Sequence, residues 1–459
     1  MSAPDVMPDL APDYASSLLV TDLYQLNMVE AYLADGLTGE AIFEVFVRTL
    51  APKRGFLLAA GLEQAVRYAL NARMSEAEAA WLTETGRFSQ RCLDYLRDFR
   101  FTGHIDALPE GTLCFAEEPL LRITAPLPEA QLLETRLLNL LQYQTMVASK
   151  AARMRLAAPS ADLVDFGLRR AHSGEAGVLA ARAAYLAGFL GTATVAAGRA
   201  YGLPLLGTMA HAYIQAHEDE RAAFASFARA RPDQTVFLLD TYDIPRAAER
   251  LTALAPELAA EGISLRGVRL DSGDLTAEAK RVRAILDGAR LQDVRIFASG
   301  GLDESTLQGF VKAGAPIAAY GLGTALVTAD DMPSLDITYK LKSYDGRPTR
   351  KLSSNKSYWP GPVQIWRERN AEGRLHADHL TCADEAAPSP KAEALLQPIV
   401  REGRLCAPLE DVHTARTRAA EALASLPTSA ASLEAPEPLT AHVSPALRAL
   451  AAEVDRRLG

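Results

Sequence analysis

The chain shows three successive patterns of hydrophobic and polar positions, up to about residue 150, from about residue 162 to residue 328, and after residue 328, where strands such as ITYKLKSYD return. In the first region, apolar residues recur at helical spacing, which predicts helices over residues 22–33, 61–70 and 128–155. Between these helices, the alternating residues 41–50 and the proline-punctuated run 102–127 predict strands. The first part of the chain is therefore predicted to be a mixed α/β domain.

From about residue 162 to residue 328, short apolar strands alternate with helical segments, which is typical of a parallel sheet with helical crossovers. The predicted strands lie near residues 161–166, 192–196, 204–209, 235–241, 265–271, 294–300 and 315–321. Six to eight such units fit a closed β/α barrel better than a six-stranded open sheet. The predicted fold class is α/β, an irregular, TIM-like β/α barrel with a second, mixed α/β domain.

These patterns divide the chain into five predicted parts. They are a flexible N-terminus (1–18), an N-terminal α/β domain (19–150), a β/α barrel catalytic domain (151–330), return strands that complete the N-terminal domain (331–410) and an Ala-rich helical tail (411–459). The tail contains no recognisable catalytic motif.

Composition narrows the class of protein. The 459 residues include 48 Lys and Arg against 57 Asp and Glu, a formal net charge of −9, which disfavours nucleic acid as a partner. Arg182, Gly188, Gly191 and Gly198 interrupt the apolar stretch 176–198, and the N-terminus has no basic and apolar signal sequence. Four scattered cysteines predict no disulfide framework. We therefore expect a cytoplasmic protein with neither a membrane nor a nucleic-acid partner.

Polar residues and glycines cluster at the ends of six predicted strands, where parallel β/α folds place their active sites. The clusters are DFGLRRAHSG from residue 165, GTMAH from 207, LDTYD from 239, RLDSGD from 269, ASGGLD from 298 and YGLGT from 320. Any one of them could be a helix cap or a glycine turn. Six together indicate a catalytic site.

Two of these clusters have the composition of phosphate-binding loops, because glycine lets a phosphate approach bare backbone amides. The first loop lies between a strand and a helix and comprises Ser299, Gly300 and Gly301. The second follows the next strand and comprises Gly321, Gly323 and Thr324. Their adjacency predicts a phosphorylated ligand.

A third cluster combines a cation with carboxylates. Strand alternation places Arg269 and Asp271 on the same side of a strand end, and Asp274 follows three residues later. The carboxylates would suit ribose hydroxyls or Mg²⁺, which prefers oxygen ligands. The structural alternatives are a salt bridge for the first pair and a helix N-cap for Asp274.

Two further clusters leave their roles open. Near Arg169 and Arg170, the ring of Phe166 would either stack on a flat substrate ring or be an ordinary core residue. In the first case, the guanidinium groups would hold the anionic group of that substrate. His211 would be a supporting histidine, or a nucleophile that accepts a phosphoryl group.

An ordered series of motifs runs through most of the chain. It begins with TDLYQLNM from residue 21 and continues with FEVFVR, GFLLAAGLE, DFGLRRAHS, GTMAHAYIQAHE, LLDTYD, RLDSGDL, ASGGLDE and YGLGTALVT. In order and spacing these motifs resemble the nicotinate phosphoribosyltransferase family, a type II phosphoribosyltransferase family. The resemblance extends from residue 19 to the early 400s.

The resemblance implies a reaction of NAD salvage. Nicotinate and 5-phosphoribosyl 1-pyrophosphate (PRPP) would give nicotinate mononucleotide and pyrophosphate, while ATP is hydrolysed to ADP and phosphate. His211 matches the histidine that is transiently phosphorylated, so it is the expected phosphohistidine. Mg²⁺ would accompany the pyrophosphate, with Asp271 and Asp274 as candidate ligands.

The resemblance also implies how the substrates lie. Phe166 would stack on one face of the pyridine ring, and Tyr24 from the second subunit of a homodimer with shared active sites would cover the other. The arginines, with Arg169 and Arg269 foremost, would meet the anionic groups, Asp271 the ribose, and the two glycine loops the 5-phosphate.

Two positions bear on the family pattern. Nicotinamide-using relatives place an Asp where this chain has Ala193, and an Asp there would repel the carboxylate of nicotinate, so Ala193 favours the acid. Many relatives follow the phosphorylated histidine with Ser or Glu, whereas Ala212 follows His211 here.

Three other functions are alternatives to this one. They are a nicotinamide phosphoribosyltransferase, a sugar-phosphate barrel lyase or isomerase, and a non-catalytic ligand-binding relative. A Schiff-base lyase would need a lysine at a predicted strand end, and none is present. A zinc site is a separate hypothesis, which the spacing only weakly favours, for His376, His379, Cys382 and Cys406.

Overall fold

A computed structural model of the chain describes residues 13–353 and 358–459. Residues 1–12 of the predicted flexible N-terminus therefore lie outside the described residues. Residues 13–18 pack against the domain that follows, where Ser17 forms a β-bridge with Arg73 and Leu18 is fully buried.

The N-terminal region contains helices, an antiparallel set of strands and one long helix that ends it. Its elements are α1 (Leu23–Asp35), β1 (Glu40–Val47), β2 (Leu57–Leu58), α2 (Leu62–Asn71), α3 (Glu76–Glu84), α4 (Gln90–Asp98), β3 (His104–Ala107), β4 (Leu113–Cys114), β5 (Pro119–Pro126) and α5 (Leu127–Ala157). Pro128 lies in the first turn of α5, where its missing amide costs no hydrogen bond. The 31-residue α5 crosses the boundary predicted at residue 150.

The middle region alternates strands and helices. Its elements are β6 (Asp162–Asp165), a 3₁₀ turn (Leu168–Arg170), α6 (Gly174–Leu186), β7 (Gly191–Thr192), α7 (Val195–Tyr201), α8 (His211–Gln215), α9 (Glu220–Ala230), β8 (Val236–Leu238), α10 (Ile244–Ala260), β9 (Gly267–Leu270), α11 (Leu275–Gly288), β10 (Arg295–Ser299), α12 (Glu304–Lys312), β11 (Ala319–Leu322) and α13 (Thr324–Thr328). Aspartate or serine side chains cap five of these helices, and four of the capping residues lie in the polar strand-end clusters: Ser173, Asp243, Asp274 and Asp303.

The C-terminal region returns to strands and ends in two helices. Its elements are β12 (Ile337–Tyr344), β13 (Arg347–Pro348), β14 (Val363–Arg369), β15 (Leu375–Cys382), β16 (Glu393–Ala394), β17 (Gln397–Arg401), β18 (Arg404–Leu405), α14 (Val412–Ser425), β19 (His442–Val443) and α15 (Pro445–Leu458). Helix α14 packs on α6, and α15 packs on β15.

The return strands join an antiparallel sheet in the order β13-β12-β1-β5-β3-β17-β18. Strand β1 is an interior strand of this sheet, pairing with β12 on one side and β5 on the other, which is why most of its residues are buried. Glu44 of β1 is completely buried there and forms ion pairs with Arg122 and Lys342. A separate four-stranded sheet has the order β16-β14-β15-β19.

The middle region forms a parallel sheet in the order β7-β6-β11-β10-β9-β8. A single parallel bridge between Thr192 and Leu205 extends it beyond β7. Within the described residues, no strand pairing joins β8 to that end, so the predicted TIM-like barrel closure is not confirmed. The segment around Leu205 contains Pro204, which has no amide to donate to a ladder, and only one residue of it pairs. The fold is a mixed α/β fold with an unclosed parallel sheet.

The most apolar stretch of the chain, residues 176–198, forms most of α6, the turn after it, β7 and the start of α7. In the part of the chain that the structure describes, no helix combines the length and the apolar character needed to cross a membrane.

Candidate active site

The carboxyl ends of β6, β9, β10 and β11 meet around one cavity of about 140 Å³. The parallel register brings these ends level, since Ser299 of β10 lies beside Gly321 of β11, and Leu322 beside Asp165 of β6. The lining consists of eleven residues singled out in the sequence: Phe166, Arg169, Arg170, Arg269, Asp271, Ser299, Gly300, Gly301, Gly321, Gly323 and Thr324.

The first glycine loop has a backbone that only glycine adopts easily. Gly300 has a φ of 100° and Gly301 a φ of 65°. A Cβ on Gly300 would lie 2.2 Å from the carbonyl oxygen of Asp271, so the two strand ends touch through bare backbone. Asp303 caps α12 by accepting from the amide of Thr306, at 2.8 Å. The loop therefore faces the cavity with its backbone, and the helix that follows it, α12, is capped by Asp303.

The second glycine loop lies against an aromatic ring. A Cβ on Gly321 would come within 2.5 Å of two ring carbons of Phe166, so glycine makes room for this ring at the cavity wall. Asp165 holds the turn that presents Phe166, because its carboxylate accepts from the amide of Gly167 at 2.8 Å and from the hydroxyl of Thr192 at 2.6 Å. Burial raises the pKa of Asp165, and these hydrogen bonds oppose that rise.

Arg269 is a cation with an incomplete set of partners. One of its terminal nitrogens donates to the carbonyl of Met209 at 3.1 Å, while its Nε is buried without a hydrogen-bond partner in the described structure. Burial lowers the pKa of Arg269 from its ordinary value, and Arg169 adds to that effect, whereas Asp271 and Asp240 oppose it. A cation held this way is suited to an anionic ligand.

The two candidate carboxylates differ in their surroundings. Asp271 lines the cavity and accepts a hydrogen bond from the hydroxyl of Ser299. Asp274 caps α11, where one of its oxygens accepts from the amides of Thr276 and Ala277, each at 3.1 Å. Asp274 thus has the capping geometry that the sequence left open, and it is not part of the cavity lining.

Asp240, which follows β8, is a functional candidate that the sequence analysis did not single out. One of its oxygens accepts from the hydroxyl of Ser272 at 2.6 Å, and the other, Oδ1, is buried without a partner in the described residues. It influences the pKa of Arg269, which places its charge near that guanidinium. Asp240 lies in the strand-end cluster LDTYD, but no spacing within that cluster distinguishes it from Asp243, which caps α10.

His211 is the first residue of α8 and lies near the cavity rather than in its lining. Its Nδ1 is 3.1 Å from the hydroxyl of Thr241, and no other hydrogen bond of this ring is present in the described structure. The preceding Met209 accepts from Arg269, so the histidine segment is attached to the cavity wall. The imidazole is therefore oriented through one nitrogen, and its Nε2 is available to a ligand.

Tyr24 lies on α1, apart from the cavity of its own chain. Its side chain is 47% exposed and is not among the cavity-lining residues. Partial burial, together with the nearby Glu134, raises the pKa of Tyr24 to about 12, so the phenol stays protonated at neutral pH.

A larger cavity of about 580 Å³ adjoins the first. It shares Phe166, Arg269 and Gly321 with it and reaches residues at the amino ends of the strands, including Asp162 and Arg295. The parallel sheet therefore borders two cavities, one at the carboxyl ends of its strands and one that reaches their amino ends.

Within residues 13–353 and 358–459, no group of three or more His, Cys, Asp and Glu side chains could hold a metal ion. His376, His379 and Cys382 lie along β15, where the ring of His379 is 5.3 Å from that of His442, while Cys406 is exposed beyond β18.

Models of one protein family match three segments of the chain. The nicotinate phosphoribosyltransferase N-terminal domain matches residues 19–142, the nicotinate phosphoribosyltransferase family residues 161–356, and the C-terminal domain residues 389–451.

Relatives match over most of their lengths. Nicotinate phosphoribosyltransferase pncB2 of Mycobacterium tuberculosis is 44% identical over 419 residues, which is 91% of this chain and 89% of that protein. The nicotinate phosphoribosyltransferase of Bacillus subtilis is 39% identical over 83% of this chain and 79% of its own. Among solved structures, human nicotinic acid phosphoribosyltransferase superposes with a TM-score of 0.85 at 30% identity, covering 95% of this chain and 99% of the human one.

Proposed function

The chain belongs to the nicotinate phosphoribosyltransferase family of enzymes in NAD synthesis, and we propose that nicotinate receives the phosphoribosyl group of PRPP in the cavity at the strand ends. The observation that supports this assignment is the composition of the cavity wall. Two glycine loops, an aromatic ring, three arginines and a carboxylate line about 140 Å³ together. Phosphate, pyridine ring, anionic groups and ribose each have a suitable partner there.

The proposed reaction is a substitution at C1 of the ribose. The pyridine nitrogen of nicotinate forms a bond to C1 while the bond from C1 to the pyrophosphate oxygen breaks, and pyrophosphate leaves with the electron pair. Positive charge develops on the ribosyl ring, so the carboxylate of Asp271 is placed to stabilise it. No protein nucleophile is needed, because catalysis depends on positioning and charge.

The arginines and Phe166 would position the base. Phe166 stacks on the pyridine ring, held against the backbone of Gly321. Arg169 and Arg170 lie on the exposed 3₁₀ turn and meet anionic groups of the substrates, while Arg269 gives its unpartnered Nε to one of them. The loops around Gly300 and Gly323 hold the 5-phosphate.

Magnesium would bind at the Asp240 and Asp271 side of the cavity. The buried, unpartnered Oδ1 of Asp240 fits a cation better than Asp274, whose oxygen already caps a helix. Mg²⁺ usually takes one or two carboxylates and completes its shell with phosphate oxygens and water. When bound, it neutralises the charge of the departing pyrophosphate.

We further propose that ATP phosphorylates His211. Its Nε2 attacks the terminal phosphorus of ATP, ADP leaves, and water later releases phosphate from the histidine. Thr241 keeps the ring in position through Nδ1. The phosphohistidine would add negative charge beside the Met209–Arg269 contact, opposite in sign to the Arg269 guanidinium.

Synthesis of nicotinate mononucleotide from nicotinate and PRPP, with and without ATP, tests this assignment. His211→Ala should abolish ATP stimulation and phosphate incorporation from ATP but retain some base transfer. His217→Ala is the matched control, because that histidine lies just beyond α8 and its Nδ1 bonds only a backbone carbonyl. Full ATP stimulation of His211→Ala would contradict the phosphohistidine role, and absence of product from the wild type would contradict the function.

We also propose a homodimer in which Tyr24 completes the partner's site, since Tyr24 is exposed and lies outside its own cavity lining. Mixing Tyr24→Ala with Arg269→Ala protein should restore about a quarter of wild-type activity, because half of the dimers would then have one intact site. Each variant alone should be far less active. No recovery on mixing would contradict shared sites.

We place the enzyme in the cytoplasm. All four cysteines are free thiols, and Cys92 and Cys114 are buried. Burial raises the pKa of both thiols, so they are unreactive at neutral pH. This cysteine usage agrees with a reducing compartment.

A further inference from the structure

A buried lysine lies on the long helix α5. Lys150 is 1% exposed, and its ammonium group forms three ion pairs, with Glu304 at 2.6 Å, Asp330 at 2.8 Å and Asp331 at 2.9 Å. Burial alone would lower the pKa of Lys150, but these carboxylates outweigh it and raise the pKa. The lysine is therefore charged, and its carboxylate partners come from two different segments.

Each of the two segments begins with a glycine loop of the cavity. Glu304 is the first residue of α12 and follows Gly301 by three positions. Asp330 and Asp331 follow the short helix α13, which starts at Thr324, after the single residue Ala329. The ammonium group of Lys150 thus links the segment after the first glycine loop to the segment after the second glycine loop.

Two buried arginines complete the network. Arg153, one turn further along α5, donates to Glu304 at 3.1 Å and to the carbonyl of Leu433 at 3.0 Å. Arg54, from the N-terminal region, donates to Asp331 at 3.0 Å. Each arginine reaches the carboxylates of only one segment, whereas Lys150 reaches both.

We propose that Lys150 is a positioning residue that sets the separation of the two glycine loops and thereby the affinity for the 5-phosphate of PRPP. The inference rests on the proposed function for its substrate. A phosphate held by backbone amides from two loops needs both at hydrogen-bonding distance at once. Without the central charge, three carboxylates face two arginines, and the excess negative charge drives the segments apart.

The decisive variant is Lys150→Met, which keeps the length of the side chain and removes its charge. We expect the KM for PRPP to rise by about tenfold or more and the KM for nicotinate to change by less than about threefold. Lys150→Arg should restore much of the PRPP affinity, because it retains the cation.

The matched control is Lys342→Met. Lys342 is 3% exposed and pairs with Glu44 at 3.0 Å, but it lies on β12 in the other sheet. Both variants should lose stability in thermal unfolding, and only Lys150→Met should lose PRPP affinity selectively. Equal changes in the two KM values for Lys150→Met, or a PRPP effect of the same size in Lys342→Met, would overturn the proposal.

A milder variant covers the case in which Lys150→Met does not fold. The side chain of Asp330 is 53% exposed, so Asp330→Asn should fold while it removes one link to the second loop. We expect a rise in the KM for PRPP of about threefold. An unchanged value would overturn the proposal.

Calorimetric titration with ribose 5-phosphate separates this proposal from the proposed reaction. If the wild type makes no product but binds ribose 5-phosphate, and Lys150→Met or Asp330→Asn weakens that binding, the reaction is wrong and the positioning role stands. If the wild type does not bind ribose 5-phosphate, the assignment of the glycine loops as a phosphate site and the proposed role of Lys150 are both wrong.

Discussion

Gly300→Ala tests whether the close contact between two strand ends builds the phosphate site. The new Cβ would lie 2.2 Å from the carbonyl oxygen of Asp271, whereas real Cβ contacts are essentially never shorter than 3.0 Å. The loop or the end of β9 must therefore move by about 0.8 Å, because close-packed backbone has no free space to absorb the overlap.

The size of the effect follows from two contributions. Overpacking of this kind costs about 1–3 kcal/mol, and a non-glycine residue at a φ of 100° adds roughly 1–2 kcal/mol. A displacement approaching 1 Å at a binding group lowers catalytic efficiency by about 10²-fold. We expect kcat/KM for PRPP to fall by that order, with a smaller fall for nicotinate.

Gly301→Ala is the matched control. Gly301 has a φ of 65°, but a Cβ there meets nothing within 4 Å, so only the backbone strain of roughly 1–2 kcal/mol remains. Initial rates at varied PRPP and urea unfolding curves of both variants measure the difference. Equal losses of kcat/KM in the two variants would show that strain alone, and not the contact with Asp271, explains the effect.

Two other substitutions test the effect of a charged side chain, one on the stability of the fold and one on the choice of substrate. Burial, reinforced by Asp378, raises the pKa of Glu118. The folded protein therefore holds a proton that the unfolded chain releases. As a result, the free energy of unfolding falls as pH rises from the unfolded pKa of about 4.3 toward the folded pKa. Glu118→Gln should flatten that decline and increase the free energy of unfolding at pH 8, and a variant less stable than the wild type at pH 8 would contradict this. Ala193→Asp, at the exposed turn after β7, should raise the ratio of nicotinamide to nicotinate turnover by about tenfold or more, because the new carboxylate repels the acid. An unchanged ratio in side-by-side assays would remove Ala193 as a specificity determinant.

The glycine loops were predictable because their information is local. A glycine pair after a strand and before a helix implies a special backbone, and Gly300 and Gly301 do have positive φ. The parallel order of the strands was also implied by alternation of strands and helices, and it made their carboxyl ends converge.

Asp240 and Asp274 have different roles that the local sequence does not distinguish. Both follow strands in similar clusters, but one caps a helix and the other has a buried, unpartnered oxygen near Arg269. That difference depends on contacts between neighbouring strands, which spacing within one cluster does not reveal. Closure of the predicted barrel likewise depended on pairing between β8 and the segment near Leu205, two segments distant in the sheet.

The sequence by itself determined the succession of strands and helices, the turns that need glycine and the kinds of side chain at the strand ends. These features depend on residues a few positions apart, whose periodicity and backbone preferences act locally. Only the tertiary structure decided which charges are buried together, such as Lys150 with carboxylates about 150 and 180 residues later. The strength of an ion pair depends on distance and burial, and both are set by packing between remote segments.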